Sequence, residues 1–382
     1  MLAFRAVKAL SRASPAPAKD ENAVRIGILG AANIAPMACV LPLSHLPNGT
    51  AYAVAARKKE RASEFAKKHS IPVVHDSYEA LLQDPNVDAV FIPLPNALHA
   101  RWAVEAIRHG KHVLCEKPFT DNASQAQEVI DALAAHNQAR PADSPPVLCM
   151  EAFHWKTHPA AQFFKSVLQN QVGGWSIGSV QAVHTAFKIP SIAFGDTDIR
   201  YNFGLGGGAT MDAGCYAVSA WRFAVDACSS TKGYVPQVEN ATATRWTKDD
   251  KIDVNMTATL VGAAGIQGSI TAMFQAGLLS FEATITVVGD AGTLTYTNFI
   301  APSIYHAIEL KPKNGSGKLR KEYTPQDGYK PTYFYQMRAF LDAVQRKNAD
   351  YEAVGLTETG DALINMTVID AIYTKAGLPL RP

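Results

Sequence analysis

The sequence predicts an α/β protein of two domains, and three observations carry that prediction. The chain has 382 residues, more than a single ordinary core requires. From Val24 to Met150, short apolar runs alternate with helical periodicity, the pattern of βαβ units building a parallel sheet. Beyond Gly178 the texture changes to long runs of period-two alternation with short connections. That predicts a large, mostly antiparallel open sheet within an α+β domain. The boundaries read as an extension over 1–22, a first domain over 23–148 and a second over 149–382, close to the break Asp143-Ser144-Pro145-Pro146.

In the first domain, Val24 to Leu29 is a buried-strand pattern. It runs into Gly30-Ala31-Ala32-Asn33-Ile34-Ala35 and then a helix-like stretch, the parts of a Rossmann dinucleotide-binding unit. Gly30 allows the tight turn, and the helix amino end offers N–H groups and a positive dipole to a pyrophosphate. Ala32 stands where the fingerprint places its second glycine, and Ala35 where the third position admits alanine. Gly30, Ala32, Asn33, Ile34 and Ala35 are therefore candidate cofactor residues. The second strand, Ala51 to Ala56, ends in Arg57-Lys58-Lys59 instead of the acid that takes the ribose hydroxyl of NAD. Basic residues at a helix start oppose its dipole, and a bound anion would reconcile them. Arg57 and Arg61 are read as a clamp for the 2′-phosphate of NADP, with a solvated basic face as the alternative.

A strand near Val73-Val74 follows, then Ser77 as a helix cap. Strand Val87 to Leu94 enters Leu94-Pro95-Asn96-Ala97-Leu98-His99. The strand His112 to Cys115 delivers Glu116-Lys117-Pro118 at its carboxyl end, where ligands lie in parallel α/β sheets. Pro118 restricts Lys117 to extended geometry. The strand Val147 to Met150 ends in Glu151-Ala152-Phe153-His154-Trp155-Lys156-Thr157-His158-Pro159, which reads as a pocket wall.

The second domain carries alternating runs at Ser179–Ile189, Val238–Trp246, Val254–Leu260, Gln267–Phe274, Ala283–Val288, Gly292–Thr297 and Tyr305–Leu310. Helical periodicity returns over Tyr333–Gln345 and Gly360–Lys375. Between the first two strands, Gly206-Gly207-Gly208 lets the backbone pass close to a ligand. Asp212 and Tyr216, four residues apart, fall on one face of a helix.

Gly110-Lys111-His112-Val113-Leu114-Cys115-Glu116-Lys117-Pro118 and the segment Gly207 to Tyr216 resemble two signatures of the Gfo/Idh/MocA (glucose–fructose oxidoreductase) family. The resemblance covers essentially Val24 to Pro382. It implies that Lys117, Asp212 and Tyr216 surround the reacting carbon, and that the loop of Leu94, Pro95, Asn96 and His99 covers the cofactor. Tyrosine at 216, Phe91 to Asn96 and Ala376 to Arg381 are similar to the branch with dimeric dihydrodiol dehydrogenases and NADP-linked D-xylose dehydrogenases. The implied activity is hydride transfer between NADP and a sugar (an aldose such as D-xylose, giving the lactone) or a related diol or dicarbonyl. Tyr216 is then the proton acceptor. Free tyrosine ionises near pH about 10, and the Lys117 ammonium would favour its anion. Lys117 also serves a developing oxyanion, Glu116 positions Lys117, and Asp212 orients a hydroxyl or Lys117. His158, Arg200 and Asn202 are further substrate contacts. A redox-neutral lyase or hydrolase and a non-catalytic NADP-binding sensor are the competing classes.

Bulk properties exclude other functions. The net charge is +2 with no long basic run, so nucleic acid is not an expected partner. No apolar segment is long enough to span a bilayer. Five scattered cysteines form neither a metal set nor a disulfide framework, which predicts no metal and a reducing, cytoplasmic setting. The first 14 residues carry Arg5, Lys8 and Arg12 and no acid, which also suits a mitochondrial presequence. The open sheet predicts a homodimer or homotetramer.

Overall fold

A computed structural model describes residues 17–141, 143–229, 231, 233–278, 280–320, 330–346 and 359–382. The presequence-like segment lies outside the described residues. The described chain divides into two compact units.

The first unit holds a six-stranded sheet of β1 (Val24–Leu29), β2 (Gly49–Ala55), β3 (Val73–His75), β4 (Ala89–Ile92), β5 (His112–Cys115) and β6 (Cys149–Glu151). Their order is β3-β2-β1-β4-β5-β6 and every pairing is parallel. The strands read as near-continuous apolar runs because both faces are covered: Ile26, Ile28 and Leu29 of β1 and all of β4 are buried. Helices α1 (Leu41–Ser44), α2 (Lys59–His69), α3 (Tyr78–Gln83), α4 (His99–Arg108) and α5 (Ala123–Gln138) make the crossovers. Strand order reverses between β1 and β4, and the crevice beyond their carboxyl ends is where such sheets bind nucleotides.

Two features depart from the sequence reading. Strand β6 pairs in parallel with β5, Leu114 opposite Met150, so the first unit runs past the expected boundary at 148 as far as Thr157. Helix Thr332–Val344 also belongs to this unit, and its Phe334, Met337, Phe340 and Leu341 share the core with Ala38, Leu43 and Leu46. A Cβ on Gly49 would lie 2.6 Å from Leu341 Cδ1, so that glycine lets the helix pack directly on β2. Short-range periodicity finds such a helix but not the sheet it covers.

The second unit contains α6 (Pro159–Leu168), β7 (Val180–Pro190), α7 (Cys215–Cys228), β8 (Gln237–Trp246), β9 (Asp249–Val261), β10 (Gln267–Ala276), β11 (Glu282–Gly289), β12 (Gly292–Thr297), β13 (Ala307–Pro312) and β14 (Lys318–Arg320). The eight strands lie in the order β14-β13-β12-β11-β7-β10-β9-β8. All pairs are antiparallel except β7 with β10. One face is apolar and is covered by α7, whose Trp221 donates its Nε1–H to Val183 O at 2.9 Å. The opposite face carries His184, Ser269, Thr257, Thr271, Thr284, Thr286 and Thr295, all at least partly exposed.

Candidate active site

In the first unit, residues from four strand ends converge on the switch point. Gly30 adopts φ +118°, donates to Ala55 O at 2.8 Å, and a Cβ there would lie 2.9 Å from Leu94 Cδ2. Leu94 thus arrives from β4 directly over the glycine turn. The following helix opens with a π-helical turn over Pro36–Val40. Leu41 N–H reaches back to Pro36 O, and Pro42, next in the chain, has no N–H for the Ala38 carbonyl. Ala35 is fully buried, so the third fingerprint position must be small. Ala32 is half-buried and Asn33 exposed.

At the end of β2 the exposed Arg57 and Arg61 flank the same turn, Arg61 Nη2 reaching Ala31 O at 3.4 Å. Tyr78, which the sequence reading missed, bonds the Arg57 backbone through its hydroxyl and meets Trp102 edge-on at 4.8 Å. Its placement follows from Ser77, whose Oγ accepts from Ala80 N at 3.0 Å and so fixes the start of α3. Burial raises the Tyr78 pKa, with the Arg57 backbone and the charges of Arg57 and Arg61 working against it.

His99 is fully buried at the start of α4, with Nε2 2.8 Å from Leu94 O and Nδ1 2.8 Å from Pro118 O. It ties the Leu94-Pro95 turn to the segment that carries Lys117. Burial lowers its pKa, both carbonyl contacts oppose that, and the Lys117 charge adds to the lowering. The Lys117–Pro118 peptide is cis. Glu116 is buried and its Oε2 accepts the Lys117 backbone N–H at 3.3 Å, a direct hold on the lysine's main chain. Asn96 opens the 3-10 turn Asn96–Leu98 that leads into α4.

The stretch read as a pocket wall is mostly buried. Glu151 Oε1 accepts from Phe119 N at 2.8 Å, Trp155 is fully buried, and the His154 ring packs tilted against Tyr333 at 4.2 Å. Tyr333 comes from helix Thr332–Val344, far away in sequence.

In the second unit, His158 is buried and caps α6, its Nδ1 accepting from Ala160 N at 3.1 Å, with its ring 6.4 Å from that of His306. This capping task was not visible in the sequence. Arg200, expected as a substrate contact, is drawn into an ion-pair chain. Its Nε meets Asp212 Oδ2 at 2.6 Å and its Nη1 meets Asp198 Oδ1 at 3.1 Å, while the guanidinium lies 4.3 Å over Phe194. Burial works against the Arg200 charge, but Asp212 and then Asp198 outweigh it and raise its pKa. Asn202 is exposed, and its carbonyl accepts the Gly207 N–H at 2.9 Å. Asp212 and Tyr216 are not on one uninterrupted α-helix. Thr210–Gly214 is a π-helical turn and α7 begins only at Cys215. Such single turns recur at functional sites. Tyr216 is buried, with Phe187 edge-on at 5.6 Å and Phe281 6.0 Å from Phe187.

The doubly wound sheet with its glycine turn, basic strand end and strand-end lysine has the form of an oxidoreductase that works with a nicotinamide dinucleotide. The small residues at Gly30 and Ala35 and the cationic end of β2 fit the phosphates of that cofactor. The chain belongs to the GFO/IDH/MocA family: residues 24–140 match the model described as "Oxidoreductase family, NAD-binding Rossmann fold", and 168–295 match the GFO/IDH/MocA C-terminal domain. It is 32% identical over 350 residues to D-xylose 1-dehydrogenase (NADP(+)) 2 of Haloferax volcanii, covering 92% of this chain and 96% of that one. It is 33% identical to trans-1,2-dihydrobenzene-1,2-diol dehydrogenase of Xenopus tropicalis, over 47% of this chain and 50% of that one. Among solved structures, a 3-ketoreductase from Actinomadura kijaniata in complex with NADP and TDP-benzene superposes with a TM-score of 0.76 at 26% identity, covering 93% of this chain and 98% of that one. No helix among the described residues is long and apolar enough to cross a membrane.

Proposed function

We propose that the chain is an NADP-dependent dehydrogenase that oxidises a small polyol, with an aldose such as D-xylose, converted to its lactone, as the leading substrate. The observation that carries this reading is the Asp198–Arg200–Asp212 ion-pair chain one turn from the buried Tyr216. It holds an ionised carboxylate in a fixed place, able to accept a hydrogen bond from a substrate hydroxyl. Bound NADP+ supplies the hydride acceptor. Tyr216 takes the hydroxyl proton, Lys117 donates to the oxygen as its charge develops, and Asp212 orients the neighbouring hydroxyl. Leu94, Pro95, Asn96 and His99 support the nicotinamide side, while Arg57 and Arg61 hold the 2′-phosphate. Arg200 acts through Asp212, and Asn202 and His158 contribute backbone and capping contacts.

A second substrate reading, a diol on an apolar ring, draws support from the Phe187–Phe281 edge packing beside Tyr216. The redox-neutral and sensor readings find no support in relatives named as dehydrogenases and reductases. The open face of the second sheet is the proposed homodimer or homotetramer contact. A cytoplasmic setting agrees with cysteines that are all free and mostly buried. The test is nicotinamide absorbance with purified protein, NADP+ or NAD+, and a panel of aldoses and diols. Sugar- or diol-dependent NADPH formation, with NAD+ poor, supports the proposal. Bound nucleotide without turnover on any member contradicts it.

A further inference from the structure

The strongest unexplained feature of the second unit is a buried charge pair that no step of the reaction uses. Arg381 and Asp253 both have fully buried side chains, and Arg381 Nη2 lies 2.8 Å from Asp253 Oδ1. Burying two charges is costly, and a well-packed apolar pair often serves stability as well or better. Such a pair must earn its place through what it fixes.

Three of its remaining side-chain bonds converge on one segment, while Arg381 Nη1 donates to Pro379 O at 3.1 Å. Arg381 Nε donates to Gly207 O at 2.6 Å, and its guanidinium lies 5.2 Å from the Phe203 ring. Asp253 Oδ2 accepts both the backbone N–H of Thr210 at 2.7 Å and its hydroxyl at 2.6 Å. Tyr373 completes the cage, its hydroxyl donating to Asp253 Oδ1 at 3.0 Å and its ring 4.1 Å from the Arg381 guanidinium. Gly208 sits at φ +131°, where a Cβ would collide with Asp253 Oδ1 and Arg381 Nη2. From the other side, Arg200 O accepts from Gly208 N at 2.8 Å and Asn202 O accepts from Gly207 N at 2.9 Å. Gly208 O then accepts the backbone N–H of Asp212 at 3.1 Å. The carboxylate of Asp212 is thus located by two holds, the Arg200 pair on its side chain and the caged glycine turn on its backbone.

We infer that Arg381, paired with Asp253 and backed by Tyr373, is a positioning residue for the reaction: it sets the Gly206–Thr210 turn so that Asp212 meets the substrate hydroxyl. This rests on the proposed role of Asp212, and the experiment separates the two. Arg381→Lys keeps a charge but loses the Nε bond to Gly207 and the planar fork. Tyr373→Phe removes one hydrogen bond and leaves the ring. Each is measured for kcat and substrate KM, for NADP affinity and for melting temperature, alongside Asp212→Asn.

Arg381→Lys is expected to lower kcat by about 10- to 100-fold, the scale of a misplaced contact, with NADP affinity within about twofold of wild type. Tyr373→Phe is expected to lower kcat by about threefold, a small effect because Arg381 and the two Thr210 bonds still hold Asp253. A folded Arg381→Lys protein with wild-type kcat overturns the inference. If Arg381→Lys does not fold, Tyr373→Phe decides: a lower kcat at unchanged NADP affinity supports the positioning role, and an unchanged kcat overturns it. Full activity in Asp212→Asn removes the proposed role of Asp212 itself, whatever the Arg381 variants do. Inactive Asp212→Asn beside fully active Arg381→Lys removes only the positioning role.

Discussion

Two glycine turns organise this protein, and they are held in opposite ways. The turn at Gly30 is fixed by one backbone bond to Ala55 and by the Leu94 side chain, and the π-helical turn that follows it has no side-chain cap. Its cations, Arg57 and Arg61, stay exposed. The turn at Gly206–Gly208 leads into the other π-helical turn and is caged by the buried charges of Asp253 and Arg381. A ligand that brings its own phosphates needs N–H groups and cations left open for it. A carboxylate that must meet a hydroxyl at one distance has to be immobilised before substrate arrives. Outside Gly30 and Ala35 the first turn should therefore tolerate change, and the second should not.

The largest expected effect comes from breaking the second turn. Gly208→Ala forces a Cβ into the Asp253–Arg381 pair at a positive φ, and should cost about 3 kcal/mol or more of stability along with most of the activity, read by thermal melting and kcat. The double change Arg57→Ala, Arg61→Ala removes two charge-assisted contacts of about 1.5 kcal/mol each, so the KM for NADP+ should rise by about 100-fold while that for NAD+ changes little. Steady-state kinetics with both nucleotides checks it.

Acid titration should separate the units next. In the first, burial lowers His99 and takes His112 down to about 4, with Arg140 adding to the latter. Their folded pKa values lie below the unfolded value of about 6.5, so the stability they contribute is present above pH 6.5 and is lost as pH falls toward 4. In the second, burial raises Asp121 to about 7, against the Arg381 charge, and raises Asp370 to about 6, against the Ala123 N–H. Those folded values lie above the unfolded one, so their contribution is greatest at low pH and is lost as pH rises through 6 to 7. Hydrogen exchange between pH 7 and 4.5 should show protection falling around β5 and persisting longer around Thr359–Lys375. Loss in the opposite order would contradict these assignments. The smallest effect is expected for Ala32→Gly. The change removes a single half-buried methyl, so NADP affinity should stay within about threefold of wild type by fluorescence titration.

Much of this was readable from sequence. Strands β1, β5 and β12 fall where apolar runs and turn residues place them, and the Gly30, Arg57 and Lys117 positions follow from strand-end logic. What stayed hidden depends on distant partners. Helix Thr332–Val344 shares the core beside β2 and sets Tyr333 against His154, a packing that the strand-end run of polar and aromatic residues did not reveal. Arg200 was read as a substrate contact, and its ion pair with Asp212 was not legible because a glycine-rich loop separates the two in sequence. The π-helical turn at Thr210–Gly214 left no mark in the spacing, since four residues fall near one face in either kind of helix. Arg381 carried no motif of its own, and only the folded chain brings it to Gly207 and Asp253.

The most direct test is single-turnover hydride transfer by Tyr216→Phe, with NADP+ binding measured on the same preparation. The account predicts wild-type NADP+ affinity and a transfer rate lowered by about 100-fold or more, the scale of a lost general base. A Tyr216→Phe protein that binds NADP+ and transfers hydride at the wild-type rate would contradict it.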